Sequence, residues 1–161
     1  MTHPQLPHPD ISKLSADDLR FLSLAYDRAA GSFAQGGLPI GAVLARGSEL
    51  LGTGHNQRIQ KSDPIAHGEM DCLRNAGRQR SYKGTTLYTT LSPCMMCAGT
   101  IVQFRIPRVV IGENRNFGGN EDFLRQHGVE VAIADDANCI LLMKKFIAAH
   151  PDLWAEDIGA D

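Results

Sequence analysis

Four residues of this 161-residue chain have the types and spacing to do chemistry at a metal: His67, Glu69, Cys94 and Cys97. His67-Gly68-Glu69 opens a stretch that closes on Pro93-Cys94-Met95-Met96-Cys97. One imidazole and two thiolates supply three ligands for zinc and leave a fourth position open, whereas structural zinc sites fill all four. The open position takes water, whose pKa the ion lowers from about 16 to roughly 7. A carboxylate beside the metal takes that proton and passes it on, and Glu69 is placed for this catalytic role. Zn²⁺ with two thiolates and a neutral imidazole sums to zero charge, which suits attack on an uncharged heterocycle.

This chemistry constrains the elements that carry it. In mid-helix, residues two apart point to different sides, so His67 and Glu69 share a pocket only if their motif straddles a helix start. Cys94 and Cys97, three apart, lie on one face of a helix. At its first turn they feel the positive end of the dipole, which helps keep thiols ionised. Pro93 fits that first turn, where its missing N–H costs nothing.

The rest of the chain supplies a frame. Ser15-Ala16-Asp17-Asp18 reads as a helix cap, followed by Leu19, Leu22, Ala25, Ala29 and Phe33 at helical spacing. Ile40 to Ala45 and Glu49 to Thr53 form a hairpin across Arg46-Gly47-Ser48. Gly52-Thr53-Gly54 lacks the third glycine and the following helix of a phosphate loop. The polar run His55 to Ile65 reads as a long loop, and such loops tend to be functional. A helix from about His67 to Gly77 precedes a strand over Thr85 to Leu91; the cysteine helix stops before Pro107. Strands at Arg108–Gly112 and Val129–Ala134 flank a short helix at Glu121–Gln126. Asp135-Asp136 cap a last long helix with Ile140, Leu141, Met143, Phe146 and Ile147 on its apolar side. Helices alternating with about five short strands predict a three-layer α/β/α sandwich around a central mixed sheet. Residues 1–14 read as a flexible polar lead-in, and 15–161 as a single domain whose last segment, 151–161, forms a C-terminal lid.

Composition narrows the classes. Net charge of −2 gives no general pull toward phosphate backbones, which argues against a nucleic-acid partner. A basic group at Arg74, Arg78, Arg80 and Lys83 is explained by a solvated helix end. No apolar run approaches the ~20 residues of a membrane span, and no signal peptide is evident, so a cytoplasmic protein without a membrane partner is expected. Four cysteines in such a setting argue against a disulfide framework. Cys72 and Cys139 fall in apolar helical patterns and read as buried packing.

Each half-motif has a plainer explanation. A lone Cys-x-x-Cys fits a redox pair or half a structural zinc site. A structural site needs a fourth ligand; His55 has no ligand-like spacing, and Cys72 is better explained as packing within its helix. The halves together form the His-x-Glu…Pro-Cys-x-x-Cys signature of the zinc-dependent nucleobase deaminases.

Beyond this signature, the chain resembles the yeast-type cytosine deaminases, within the cytidine and deoxycytidylate deaminase superfamily. The resemblance rests on Gly37-Leu38-Pro39-Ile40-Gly41, Gly54-His55-Asn56, Thr85 to Cys97, Gly112-Glu113-Asn114 with Asn116-Phe117, and Glu156-Asp157-Ile158-Gly159. It implies a cytidine-deaminase-like fold, a homodimer and one zinc per subunit. It implies that the amide of Asn56 and the backbone N–H of Gly68 bind the carbonyl edge of a base, and that the Ser92 carbonyl accepts from the departing amino group. Leu91 and Ile40 match pocket walls, Phe117 and Trp154 match aromatics over the base, and Asp157 matches a carboxylate that closes on a ring N–H. The chain departs from that pattern in a shorter segment around Arg78–Lys83 and at Asp63-Pro64-Ile65-Ala66 before His67.

The resulting expectation is hydrolysis of free cytosine to uracil and ammonia, with attack at C4 and Glu69 protonating N3 and then the leaving amine. Isocytosine or guanine is an alternative substrate, because a few altered pocket groups turn the recognised edge around. A tRNA adenosine deaminase shares the motif but needs a basic surface, and a non-catalytic zinc module needs a filled fourth position.

Overall fold

Alternation along the strands decides which face of the sheet each helix covers. The computed structural model describes residues 14–160, so the expected lead-in lies outside the described residues except for Leu14, as does Asp161. The elements run α1 (Ala16–Ala34), β1 (Gly41–Arg46), β2 (Glu49–His55), α2 (Arg58–Lys61), α3 (Gly68–Ala76) and β3 (Thr85–Leu91). They continue α4 (Met95–Phe104), β4 (Arg108–Glu113), α5 (Glu121–Gln126), β5 (Glu130–Ile133), α6 (Ala137–Ala149) and α7 (Pro151–Asp157).

The five strands lie in the order β2-β1-β3-β4-β5. β1 is antiparallel to both β2 and β3, whereas β3, β4 and β5 run parallel, so the sheet is mixed as expected. Register brings Leu44, Leu87 and Val109 side by side, and their faces pack on Cys72 and Leu73 of α3, Ala98 and Ile101 of α4 and Leu124 of α5. Val43, Tyr88, Val110 and Ala132 point the other way, onto Phe21, Leu22 and Ala25 of α1. Each large apolar side chain fully buried in these layers contributes roughly 1.5–3 kcal/mol. The expected α/β/α sandwich is the fold.

Several expectations shift in detail. Ser15 caps α1 through a capping box with Asp18, but Phe21 occupies the core where Leu19 was expected, and Leu19 is exposed. Phe21 shares a helical stripe with Leu22, Ala25 and Ala29; Leu19 lies outside it. The loop at 55–65 contains the single turn α2. Leu141 of α6 is exposed, and α6 is followed by α7 in the expected lid segment. Pro93 precedes α4 instead of entering it, because Cys94 takes the cap position. The glycines of Gly52-Thr53-Gly54 serve packing: a Cβ at Gly52 would come 2.7 Å from Ala76 Cα, and one at Gly54 would strike the backbone of Cys72. Their absence of side chains lets α3 lie directly on β2.

Candidate active site

His67 and Glu69 meet because the chain turns into α3 between them. His67 is the N-cap, extended at φ −66° and ψ 160°, so its ring leaves the helix sideways while Glu69 sits in the first turn. Cys94 caps α4 in the same way at φ −69° and ψ 174°, and its sulfur accepts from the Cys97 N–H at 3.5 Å. Both helix starts lie at the carboxyl end of β3, where ligands of open α/β sheets usually bind. Gly68, the first residue of α3, is buried, and a Cβ there would sit 2.9 Å from the Ile40 carbonyl, so close packing calls for glycine.

His67, Cys94 and Cys97 are the potential metal-holding group found among the described residues, with ligand atoms all within 4.8 Å of one another. His67 Nδ1 lies 3.4 Å from Cys94 Sγ and 3.8 Å from Cys97 Sγ. Tetrahedral zinc with Zn–S near 2.3 Å and Zn–N near 2.0–2.1 Å requires nitrogen–sulfur edges of about 3.6 Å. The three residues fit zinc in distance and in donor type, and they form its site. His55 is turned away, with Nδ1 2.9 Å from the Asn56 carbonyl, and Cys72 and Cys139 are buried free thiols whose pKa values burial pushes up.

The protons in this cluster are strongly coupled. The hydrogen bond from Cys97 holds the Cys94 thiol down to about 4, against its burial and with help from His67. Burial lowers the His67 imidazole, but Cys94, Asp157 and Glu69 outweigh it and raise it to about 9. The Cys97 thiol is pushed well up by its bond to Cys94 and by burial. A divalent cation at the same place displaces these protons, since its ligands bind deprotonated. Glu69 is buried, and burial raises its carboxyl above the ordinary value. Its Oε1 accepts from Thr89 Oγ1 at 2.8 Å, and its Oε2 lies 3.2 Å from Cys97 Sγ.

A small cavity of about 20 Å³ opens over these groups, lined by Ile40, His67, Glu69, Leu91, Ser92, Cys94, Phe117, Trp154, Asp157 and Ile158. Nine of these were expected from sequence; Ile158 was quoted only within the matching tail block. Cys97 lies behind the other ligands, and Asn56 is buried beside Asp157. Larger surface depressions flank the stacked rings of Tyr82 and Phe104, away from every expected site residue. The volume is that of a water, far below the ~300 Å³ lower end of ligand clefts.

The roof of the cavity is α7. Trp154 is buried in a cluster with Leu38, Ile40, Leu91, Met143 and Phe146, and meets Phe117 edge-on at 6.0 Å and 90°. Asp157 Oδ1 accepts from Asn56 Nδ2 at 3.1 Å and lies 3.4 Å from His67 Nε2. The imidazole is thus shared, one nitrogen facing the thiols and the other facing the roof. Burial raises the Asp157 carboxyl, opposed by His67, Asn56 and Arg58.

Two contacts were missed from sequence. Thr89 gave a faint signal, a polar residue within a buried strand. Arg58 gave none: it lies on α2, donates to the Pro64 carbonyl at 3.0 Å and approaches Glu156 at 3.5 Å and Asp157 at 3.9 Å.

Comparison with known proteins agrees with this geometry. Residues 15–113 match the model of the cytidine and deoxycytidylate deaminase zinc-binding region. A cytosine deaminase of Candida albicans is 50% identical over 149 residues, covering 91% of this chain and 99% of that protein. A tRNA-specific adenosine deaminase of Buchnera aphidicola is 39% identical over 112 residues, covering 68% of this chain and 74% of that protein. A solved structure from work on A-to-I editing by tRNA:A34 deaminases superposes with a TM-score of 0.66 at 30% identity, covering 73% of this chain and 99% of that one. A chain with this sheet, these three ligands and this match belongs to the cytidine and deoxycytidylate deaminase zinc-binding family.

Proposed function

We propose that this protein hydrolyses free cytosine to uracil and ammonia, as its likeness to the cytosine deaminase of Candida albicans suggests. The observation that carries the choice of a free base is the roof: α7 lays the chain's own tail over the site, so a single base can be enclosed once the tail has opened and closed, whereas a polynucleotide would keep it displaced. The slight negative charge points the same way.

Zinc held by His67, Cys94 and Cys97 supplies the Lewis acidity that activates water. Glu69 takes the proton of the attacking water and gives it to N3 of cytosine, then takes the proton of the new C4 hydroxyl and passes it to the amino nitrogen as the carbon–nitrogen bond breaks and ammonia leaves. The amide of Asn56 and the N–H of Gly68 hold the carbonyl oxygen of the base. The Ser92 carbonyl accepts from the amino group at C4, and Asp157 accepts from the ring N–H. Ile40 and Leu91 form the walls, while Phe117 and Trp154 cover the ring and exclude water, which strengthens the polar contacts within. On this reading residues 151–160 are a lid within a single domain, and the active form is a cytoplasmic homodimer.

The test is a steady-state panel on zinc-replete protein with cytosine, isocytosine, guanine and a tRNA bearing the target adenosine. Cytosine is expected to have the highest kcat/KM; a higher value for any other substrate replaces the proposal.

A further inference from the structure

Thr89 is fully buried on β3 and has no part in the reading above. In register it sits between Ala42 of β1 and Ile111 of β4, on the same face as Leu87 and Leu91. The neighbouring positions on that face, Ala42, Leu44, Leu87, Val109 and Ile111, are hydrocarbon. A hydroxyl left unbonded there would cost roughly 1–3 kcal/mol. This one has two acceptors: Glu69 Oε1 at 2.8 Å and the Leu91 carbonyl at 3.0 Å. It has a single proton to give, and an ionised carboxylate is the stronger acceptor.

We infer that Thr89 is a positioning residue for Glu69, anchoring Oε1 to β3 and so assigning Oε2 as the oxygen that carries the proton. The two oxygens differ only by rotation about the last side-chain torsion, which is broad and two-fold, so chemistry alone does not choose between them. The surroundings do choose. Oε1 is tied to the strand by Thr89, while Oε2 points to the ligand side, 3.2 Å from Cys97 Sγ. Because Thr89 touches Glu69 and lines none of the cavity, it acts through that carboxylate and not on the base. A carboxylate free to swing spends time out of line, and a misplacement of about 1 Å can cost on the order of 100-fold in rate.

The inference rests on Glu69 as the proton carrier, and the experiment separates the two. Thr89→Val keeps the shape and removes the hydroxyl; Thr89→Ser keeps the hydroxyl and removes a methyl. With cytosine, Thr89→Val is expected to lose roughly 10- to 100-fold in kcat with KM nearly unchanged. Thr89→Ser is expected to stay within about threefold of wild type, a difference that a purely structural role would not produce. Zinc should remain at one per chain in both. Crystal structures provide a readout independent of turnover: the Glu69 carboxylate should be rotated or split in Thr89→Val and in place in Thr89→Ser. Full kcat in Thr89→Val, or an unmoved carboxylate, overturns the inference. So does a Thr89→Ser variant as slow as Thr89→Val. Should Thr89→Val fail to fold, Thr89→Ala against Thr89→Ser makes the same comparison. If Glu69→Gln itself turns over cytosine normally, the reading of Glu69 has failed instead.

Discussion

Asn56 and Asp157, 101 residues apart in the chain, meet at 3.1 Å across the mouth of the site. One leaves the sheet at the end of β2 and the other ends the last helix, so this hydrogen bond ties the tail to the body. Asn56 is buried and Asp157 half-buried with its carboxylate turned inward, and on the proposed reading each holds a group that the substrate would compete for. Opening of α7 therefore breaks a bond that the bound base would have to replace.

Removal of residues 151–161 should depress deamination severely while zinc stays bound. Trp154 and Asp157 leave with that segment, but His67, Cys94 and Cys97 do not. The milder Asp157→Asn keeps the shape and should raise KM for cytosine by roughly 10-fold or more, the cost of about one buried charge-assisted hydrogen bond. Steady-state kinetics with metal analysis check both. A truncated protein that folds, keeps its metal and works at full rate rules out the lid.

Glu69→Gln should fold, keep its zinc and lose roughly 10²–10⁴-fold in kcat, since an amide cannot carry the proton. Activity within about threefold of wild type would remove Glu69 from the chemistry.

Cys94→Ser should reduce zinc content toward zero and lower the melting temperature. Cys94 is both a ligand and the cap of α4, so loss of the thiolate loosens the helix start as well as the metal. Elemental analysis beside a thermal melt tests this, and full metal occupancy contradicts the assigned ligand set.

Far from the site, Asp18 joins α1 to the sheet through Arg108 at 2.7 and 2.9 Å and through the Tyr88 hydroxyl at 2.7 Å. Burial pushes this carboxyl up, but Arg108, the Ser15 N–H and Tyr88 outweigh it and hold it well below the ordinary value. A carboxyl with a lower pKa folded than unfolded stabilises the fold above the unfolded value of about 3.9. That contribution is lost as pH falls through the folded value. Tyr88→Phe should cost about 1–3 kcal/mol at neutral pH, and less only well below pH about 4, where pH passes through the depressed folded value and Asp18 becomes protonated. Urea melts across that range measure it; a cost that grows toward acid has the wrong sign for this account.

The parts legible in sequence were those fixed by near neighbours. Ser15 with Asp18, the span of β3 and the cysteine spacing each follow from residues a few positions apart. So did the need for His67 to precede its helix, since two residues on one helix cannot otherwise face one pocket. Arg58 was not legible and Thr89 only faintly so, because their significance lies in partners far along the chain. Pro93 lies two residues short of its expected place at the helix start for a local reason: a cysteine sulfur accepts the hydrogen bond that more often falls to a serine or aspartate, and the cap moves with it.

The family match ends at Glu113, after both helix starts and before Phe117 and α7. The groups that would break the carbon–nitrogen bond thus share the matched stretch with the floor and walls of the pocket, whereas its cover, Phe117, Trp154 and Asp157, lies beyond it. The first set is locked into the sandwich by buried packing on the sheet. The second hangs on a loop and a terminal helix, where insertions and replacements disturb little else. Evolution, or a protein engineer, could redirect such a reaction by rewriting the end of the chain and leaving its beginning alone.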